Sequence, residues 1–226
     1  MFEQPLKVIG HRLCPYVQRI TIPMLENGIA FEQIEIDLDH KPSWLKDISP
    51  SRQVPVVQVG ADEWLFESGV IARYLDRTTG TKLLPVDPLS QARHEAWMSF
   101  ADGMLNIVAR IIYRDADAEE VLASMTELAD RLDIVSIQFP PDDYFAGEQF
   151  GLVDVVFATL FRFFPVLDQV STVKLKPGMP EKLATWWDLV RHRPSVSSAV
   201  PDSFNKELTQ FIAAKQSYAG RMLQAK

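Results

Sequence analysis

The stretch Cys14-Pro15-Tyr16-Val17-Gln18-Arg19 joins a short apolar run, residues 6–10, to a segment whose apolar residues recur at helical spacing. The run predicts a β-strand, and the segment predicts a helix that begins near Pro15, since proline is tolerated at the first helical position. Cys14 is therefore placed at a helix N-terminus, where unpaired N–H groups and the helix dipole favour negative charge. We expect the pKa of its thiol to lie below the ordinary value, which favours a nucleophile over a buried, space-filling cysteine.

Length and composition are those of one large globular domain or two small ones. The 226 residues are 47% hydrophobic and carry a net charge of −7 without a basic run, which disfavours nucleic acid as a partner. No apolar stretch is long enough to span a membrane, and the N-terminus lacks the apolar core of a signal peptide. With one cysteine and no ligand-like histidine spacing, we expect no internal disulfide, no metal site and a cytoplasmic location.

Residues 1–80 carry the pattern of a small α/β domain. Four segments are short and apolar or alternating, as strands are: residues 6–10, 31–37, 53–59 and 63–66. Two segments have helical spacing: residues 15–27 and 69–77. Gly28 suits the end of the first helix, and Ser68 suits the N-cap of the second. The order of these elements predicts a mixed four-stranded sheet.

The remainder of the chain begins with a short linker and then has helical spacing. Residues 81–88 contain two prolines without periodicity and predict a linker. Five helical segments follow: residues 89–114, 118–137, 153–167, 180–191 and 204–223. The third is so apolar that we expect a buried central helix. The sequence thus predicts an α/β domain over residues 1–80 and an all-α domain over residues 89–226, with no strand after residue 88.

Three short motifs make the chain resemble the glutathione transferase superfamily: Cys14-Pro15-Tyr16, Gln53-Val54-Pro55-Val56 and Glu67-Ser68. A fourth segment, Lys41-Pro42-Ser43-Trp44, is similar to one in its cysteine-containing omega-type enzymes and their bacterial relatives. The resemblance covers nearly the whole chain. It implies a thioredoxin-like N-terminal domain, a helical bundle as the C-terminal domain, and a homodimer in which each N-terminal domain packs on the partner's helical domain.

The resemblance implies a glutathione site built from five residues of the first domain. Pro55 would be cis, and the backbone of Val54 would pair with the cysteinyl part of glutathione. Glu67 would take the γ-glutamyl amine, and Ser68, at a helix start, the γ-glutamyl carboxylate. Lys41 would face the glycyl carboxylate. Simpler interpretations stay open, namely a helix cap for Ser68, solvated charges for Glu67 and Lys41, and a strand start for Pro55.

The cysteine at position 14 favours thiol transfer, because conjugating members of this family usually place Ser or Tyr there. Cys14 would form a mixed disulfide with glutathione, and a second glutathione would resolve it. With no other cysteine in the chain, this mechanism must be monothiol. The alternatives are a glutathione-conjugating transferase, a glutathione-dependent ether or thioether lyase, and a non-enzymatic binding module of the same fold.

The second substrate, a small electrophile or disulfide, is expected in a cleft between the domains. The residues expected to wall this pocket are Arg12, Leu13, Tyr16, Tyr113 and Trp186. Trp186 matches a tryptophan of omega-type enzymes, although helix packing explains it equally well, and Tyr16 suits packing better than activation of the thiol. Dehydroascorbate, glutathionylated proteins and aromatic glutathione thioethers all remain as substrates.

The sequence departs from the family at the start of the central helix. The family often places Ser or Thr three residues before an Asp as a capping pair, whereas this chain has Gly151 before Asp154. Because glycine lacks a side-chain acceptor, we expect a slightly weakened cap without an effect on activity.

Overall fold

The structure, a computed structural model, describes residues 4–80 and 82–225. These residues form two compact units. The first unit extends to Asp87 and also includes Arg193–Val200, whereas the second contains Pro88–His192 and the residues from Pro201 onward. Thr81, where the linker was predicted to begin, lies outside the described residues. The segment Arg193–Val200 thus belongs to the first unit, although it lies within the half of the sequence that was predicted to be helical.

Strands occur in the first unit, and helices occur in both. The strands are β1 (Leu6–Gly10), β2 (Phe31–Glu35), β3 (Val56–Gln58) and β4 (Trp64–Phe66). The helices are α1 (Pro15–Glu26), α2 (Leu45–Ile48), α3 (Ser68–Thr79), α4 (Pro88–Tyr113), α5 (Ala118–Gln138), α6 (Leu152–Phe161), α7 (Phe164–Leu167), α8 (Glu181–Arg191), α9 (Pro194–Ser197), α10 (Phe204–Ala213) and α11 (Tyr218–Gln224). Among the described residues after position 88 no strand occurs, as predicted.

The sheet has the strand order β2-β1-β3-β4 and is mixed, as predicted. β1 runs parallel to β2 and antiparallel to β3, and β3 and β4 form an antiparallel hairpin. Apolar residues on one side of this sheet pack together in a cluster: Ile9, Ile36, Leu45 and Val56. The third strand is shorter than the predicted range of residues 53–59, because it starts only after Pro55, whose nitrogen cannot donate to a ladder.

Gly10 lets the end of β1 approach α1 closely. A Cβ atom at this position would lie 2.3 Å from Cγ2 of Val17, far inside van der Waals contact. Val17 is 1% exposed and lies in the first turn of α1, so it has little room to move. A side chain at residue 10 would therefore push the start of α1, and Cys14 with it, away from the sheet.

The second unit is built around α6, all ten residues of which are buried. The predicted central helix over residues 153–167 was too long, because α6 ends at Phe161 and α7 begins at Phe164, one residue before Pro165. The predicted terminal helix over residues 204–223 also divides. It breaks before Ser217, whose Oγ caps α11 by accepting the N–H of Gly220 at 3.2 Å.

Asp154 holds the N-terminus of α6 from inside the unit. Its carboxylate accepts the backbone N–H of Phe145 at 2.9 Å and of Gly151 at 2.8 Å, and the indole N–H of Trp186 at 2.8 Å. Gly151 has no side chain, so only the half of the capping pair that Asp154 supplies is formed. Burial raises the pKa of Asp154 to about 6, and the three N–H donors act in the opposite direction.

Candidate functional site

Cys14 occupies the N-cap of α1, with extended backbone angles of φ −72° and ψ 122°. Its carbonyl oxygen accepts the N–H groups of Val17 and Gln18, each at 3.1 Å, and its own N–H donates to the carbonyl of His11 at 2.8 Å. The side chain is half-buried. These bonds fix the turn between β1 and α1, so the thiol lies at the positive end of the helix dipole.

The pKa of the Cys14 thiol is raised, which shows that the expectation of a lowered value was wrong. Burial is the largest cause, because it disfavours the charged thiolate. The N–H groups of Val17 and Tyr16 lower the pKa, as do the positive charges of Arg19 and Lys41, but these effects do not offset burial. The sequence shows the helix N-terminus, whereas the burial depends on the folded surroundings.

Arg19 joins residues of the candidate site, and the sequence analysis gave it no role. It is 4% exposed, and its Nη1 donates a long hydrogen bond of 3.4 Å to Oγ of Ser68. Its guanidinium carbon lies 5.1 Å from the centre of the Tyr16 ring. Arg19 thus links α1 to the first residue of α3 and brings positive charge to both Ser68 and Cys14. An arginine inside the apolar run of α1 was the available signal, since arginine is seldom buried unpaired.

The loop before β3 carries the cis peptide bond that the family resemblance implies, between Val54 and Pro55. Arg52, two residues earlier, has the left-handed φ angle of 53°. The ammonium group of Lys41 donates to the carbonyl of Arg52 at 3.0 Å. Lys41 therefore lies beside the backbone that leads to Val54, and it is also close enough to Cys14 to lower the pKa of its thiol.

Glu67 and Ser68 form the start of α3. Glu67 is exposed and has φ 67° and ψ 106°, a region that few residues other than glycine occupy and that is enriched at functional sites. It is the N-cap, so the prediction that Ser68 fills this position was one residue off. Ser68 is the first helical residue and is 7% exposed. A carboxylate and a hydroxyl thus stand together at a helix N-terminus that favours anions.

The first unit therefore contains the groups that an anionic, peptide-like ligand needs. Arg19 and Lys41 supply positive charge, the N-termini of α1 and α3 supply N–H groups, and the loop before β3 supplies an edge of backbone. Glu67 adds an acceptor for an amine. Cys14 supplies a nucleophilic atom for chemistry on a bound thiol or disulfide.

Both halves of the chain match models of a known protein family. The family model described as "Glutathione S-transferase, N-terminal domain" matches residues 13–78, and that described as "Glutathione S-transferase, C-terminal domain" matches residues 98–194. Glutathione S-transferase 3 of Zea mays is 31% identical over 215 residues, which cover 87% of this chain and 93% of the maize protein. The chain belongs to the glutathione S-transferase family.

Relatives of this transferase carry the names of more than one class. Glutathione S-transferase omega-1 of Sus scrofa is 27% identical over 87% of this chain and 80% of its own length. The rice enzyme GST1, solved in complex with glutathione, has a TM-score of 0.81 and 25% identity over 93% of this chain and 97% of the rice chain. A Tau-class transferase from mango, Mangifera indica, has a TM-score of 0.79 and 23% identity, covering 92% and 98%. The last likeness concerns the fold alone.

Arg12, Leu13 and Tyr16, which were predicted to line the second-substrate pocket, flank Cys14 in the chain of this transferase. Arg12 is exposed, and its backbone N–H donates to the side chain of Glu35 at 3.1 Å. Tyr16 is half-buried. Leu13 is 6% exposed and belongs to the hydrophobic core. Arg12 and Tyr16 therefore keep accessible surface, whereas Leu13 keeps little.

The two predicted pocket residues of the second unit differ from each other. Trp186 is 1% exposed and packs against aromatic rings that include Phe145, so the structure gives it the packing role that the sequence left open. Tyr113 is 51% exposed at the C-terminal end of α4, and its ring meets that of Phe211 edge-on at 6.4 Å. The ammonium of Lys215 lies 4.1 Å from the centre of the Phe211 ring. Tyr113 thus offers exposed aromatic surface near a cation.

The transferase also has a surface groove that lies apart from these residues. A groove of about 520 Å³ lies at the opposite end of β1 from Cys14, lined by residues 4–7 and 58–61, and it contains none of the predicted site residues. Within the ranges 4–80 and 82–225, no three His, Cys, Asp or Glu side chains are grouped so as to hold a metal ion. In the same ranges no helix has the length and apolar character needed to cross a bilayer.

Proposed function

We propose that this transferase reduces glutathione mixed disulfides through Cys14. The observation that carries the proposal is a thiol at the N-cap of α1, where conjugating members of the family usually place a hydroxyl. Arg19 and Lys41 both lower the pKa of this thiol, which means that positive charge is available to a thiolate formed there.

In this proposal glutathione binds along the loop that ends in the cis Val54–Pro55 peptide. The backbone of Val54 pairs with the cysteinyl part, and Lys41 attracts the glycyl carboxylate. The exposed carboxylate of Glu67 takes the γ-glutamyl amine. Ser68, at the N-terminus of α3 and bonded to Arg19, takes the γ-glutamyl carboxylate.

The reaction then has two exchange steps. The Cys14 thiolate attacks the glutathionyl sulfur of the substrate disulfide, and the substrate leaves as a thiolate that takes up a proton. The thiolate of a second glutathione attacks the glutathionyl sulfur on Cys14. Oxidised glutathione leaves, and the Cys14 thiolate is regenerated. Each step breaks one disulfide and forms another, so the incoming glutathione thiolate supplies the electrons that leave with the substrate thiol.

Conjugation of glutathione to an electrophile is the second candidate, and the raised pKa of Cys14 favours it. A thiol that stays protonated can donate a hydrogen bond to the thiolate of bound glutathione, as a hydroxyl does in conjugating relatives. The 31% identical maize relative, whose name is glutathione S-transferase 3, supports the same candidate. A glutathione-dependent ether or thioether lyase would use the same site.

The second substrate is proposed to be a small electrophile or disulfide. Tyr113 contributes an exposed ring, and Lys215, 5.7 Å from the centre of that ring, contributes a positive charge. These groups favour a substrate that carries an aromatic ring or a negative charge.

We also propose a homodimer. Each unit exposes large apolar side chains that a second copy would cover, among them Phe66, Val70 and Leu89 at 41%, 45% and 60% exposure. Sedimentation at micromolar concentration should give twice the chain mass, and a monomer would count against the proposal. A cytoplasmic location stays a prediction that rests on the single cysteine.

The deciding experiment compares the wild type with Cys14→Ser. Oxidised glutathione should add one glutathionyl group to the wild type, visible by intact mass and removed by excess reductant, and none to the variant. The variant should lose activity on a disulfide test substrate and keep any activity on a chlorinated aromatic one. Equal disulfide reduction by both proteins would overturn thiol transfer, and conjugation without exchange would establish the second candidate. Failure to bind immobilised glutathione would favour a binding module.

A further inference from the structure

Ser49 lies at the C-terminal end of α2 and is 0% exposed. Its Oγ donates to the carbonyl oxygen of Gln53 at 3.0 Å and accepts the N–H of the same residue at 3.2 Å. One hydroxyl thus pairs with both backbone groups of Gln53, as a neighbouring strand would. Gln53 directly precedes the cis Val54–Pro55 peptide.

Ser49 is itself held by the core of the first unit. Its N–H donates to the carbonyl of Leu45 at 2.9 Å, and Leu45 is 0% exposed in the cluster beneath the sheet. The N–H of Arg52 donates to the carbonyl of Ser49 at 2.9 Å and closes a turn. A continuous set of bonds therefore runs from the core through Ser49 to Gln53 and ends at Val54.

The chain between these two residues receives little support from packing. Residues 50–53 are all exposed, and Ser49 is the buried residue at the start of this loop. An exposed loop that includes a left-handed residue, Arg52, would sample many conformations without an internal constraint. The paired hydroxyl of Ser49 supplies such a constraint immediately before the backbone assigned to glutathione.

We propose that Ser49 is a positioning residue that holds the Val54 backbone in the conformation that receives glutathione. The proposal rests on the proposed function, because it takes Val54 as the partner of the cysteinyl part of glutathione. Ser49 touches neither substrate nor the reacting sulfur atoms, and its effect passes through Gln53. A pre-formed loop binds more tightly because less conformational freedom is lost on binding.

This role predicts a specific kinetic signature. The backbone pairing at Val54 is made equally in the ground state and in the transition state, so its loss raises KM for glutathione and leaves kcat unchanged. Cys14 lies on a separate element, α1, and its chemistry does not pass through this loop. A purely structural role for Ser49 would instead lower Tm and the fraction of active protein, with the affinity of that fraction unchanged.

The test measures binding of S-methylglutathione to the full-length protein by calorimetry, because this analogue cannot exchange with Cys14. Ser49→Ala should bind about tenfold more weakly than the wild type, as expected for the loss of backbone hydrogen bonds. Ser49→Thr keeps the hydroxyl and Ser49→Val has the same shape without it, so threonine should bind more tightly than valine. Lys46→Ala, at an exposed position of α2, is the control and should bind like the wild type.

The outcomes separate the two proposals. If the wild type, Ser49→Ala, Ser49→Val and Ser49→Thr all bind S-methylglutathione with equal affinity, the role of Ser49 is overturned and the proposed function stands. Failure of the wild type to bind S-methylglutathione would overturn the proposed function and this inference with it. If Ser49→Ala does not fold, the threonine and valine pair decides, since the two differ only in the hydroxyl group.

Discussion

The indole N–H of Trp186 donates a hydrogen bond of 2.8 Å to Oδ1 of Asp154, and the two residues are 1% and 0% exposed. The bond joins α8 to the N-terminus of α6. The same carboxylate accepts the N–H of Phe145, in the loop before α6, and of Gly151, its N-cap. One buried carboxylate thus ties three segments of the second unit together.

Asp154→Ala should destabilise the protein by about 3–5 kcal/mol, because it leaves three N–H donors without their acceptor inside the unit. Trp186→Phe removes one donor and keeps the ring, so it should cost less, about 1–3 kcal/mol. Chemical denaturation of both variants measures the difference. An Asp154→Ala protein as stable as the wild type would contradict the role assigned to this carboxylate.

The pH dependence of stability should report the protonation of Asp154. Burial raises the pKa of Asp154 to about 6 from an ordinary value of 3.8, so the folded state binds the proton more tightly than the unfolded state. Its stabilising contribution is complete below about pH 4 and is lost as the pH rises through about 6. The stability of the wild type relative to Asp154→Asn should fall by roughly 3 kcal/mol over this window. If the difference in stability between the wild type and Asp154→Asn stays constant from pH 4 to pH 7, the pKa of Asp154 is not raised.

Alkylation of Cys14 by iodoacetamide should accelerate with pH beyond the point at which a free thiol is half ionised, about pH 8.5. Burial raises the pKa of this thiol, so its thiolate fraction at neutral pH is low. Lys41→Gln removes a cation that lowers the pKa and should move the profile to still higher pH. Glutathione, titrated in parallel, is the free-thiol control. If the alkylation rate of Cys14 reaches its plateau at a lower pH than the rate of glutathione does, the raised pKa of Cys14 is contradicted.

Glu67→Ala and Ser68→Ala should each raise KM for glutathione about ten- to hundredfold, the effect of losing a charge-assisted hydrogen bond of roughly 1.5–3 kcal/mol. Glu63→Ala, at an exposed position directly before β4, is the control and should leave KM unchanged. A folded double variant of Glu67 and Ser68 with wild-type affinity for glutathione would remove both residues from the proposed site.

Glu26→Gln should lower stability by about 1–3 kcal/mol, because the Glu26 carboxylate accepts hydrogen bonds from Arg193 and Ser195. The hydrogen bond from Arg193 holds the pKa of Glu26 below its usual range. Its contribution is therefore present above the ordinary carboxylate pKa and is lost as the pH falls through the lowered value. Denaturation at neutral and acidic pH should show a difference between the two proteins that shrinks on acidification.

Local pattern was sufficient to predict most elements of this fold. Alternation and helical spacing placed the four strands and the long helices, and Pro15 marked the start of α1. The interruptions at Arg162 and Ser217 were missed, because the apolar spacing continues across both breaks. Pro165 accounts for the break between α6 and α7, and the cap at Ser217 accounts for the break between α10 and α11. In the sequence, both signals were weaker than the apolar periodicity around them.

The site divides in the same way. Short motifs predicted site roles for Cys14, Glu67 and Ser68, which stay predictions. The family resemblance implied the cis peptide bond before Pro55, which the structure contains. The raised pKa of Cys14 depends on burial, which no local pattern reports. Arg19 was overlooked for a related reason, because its contact with Ser68 joins residues 49 positions apart.

The return of Arg193–Val200 to the first unit bears on how such proteins exchange parts in evolution. A recombination event that joined the first 87 residues to the helical half of a relative would also replace α9. Glu26 would then meet whatever side chains the relative carries in place of Arg193 and Ser195. We therefore expect a chimera to be more stable when α9 and α1 come from the same parent, because the contacts of Glu26 with Arg193 and Ser195 are then kept.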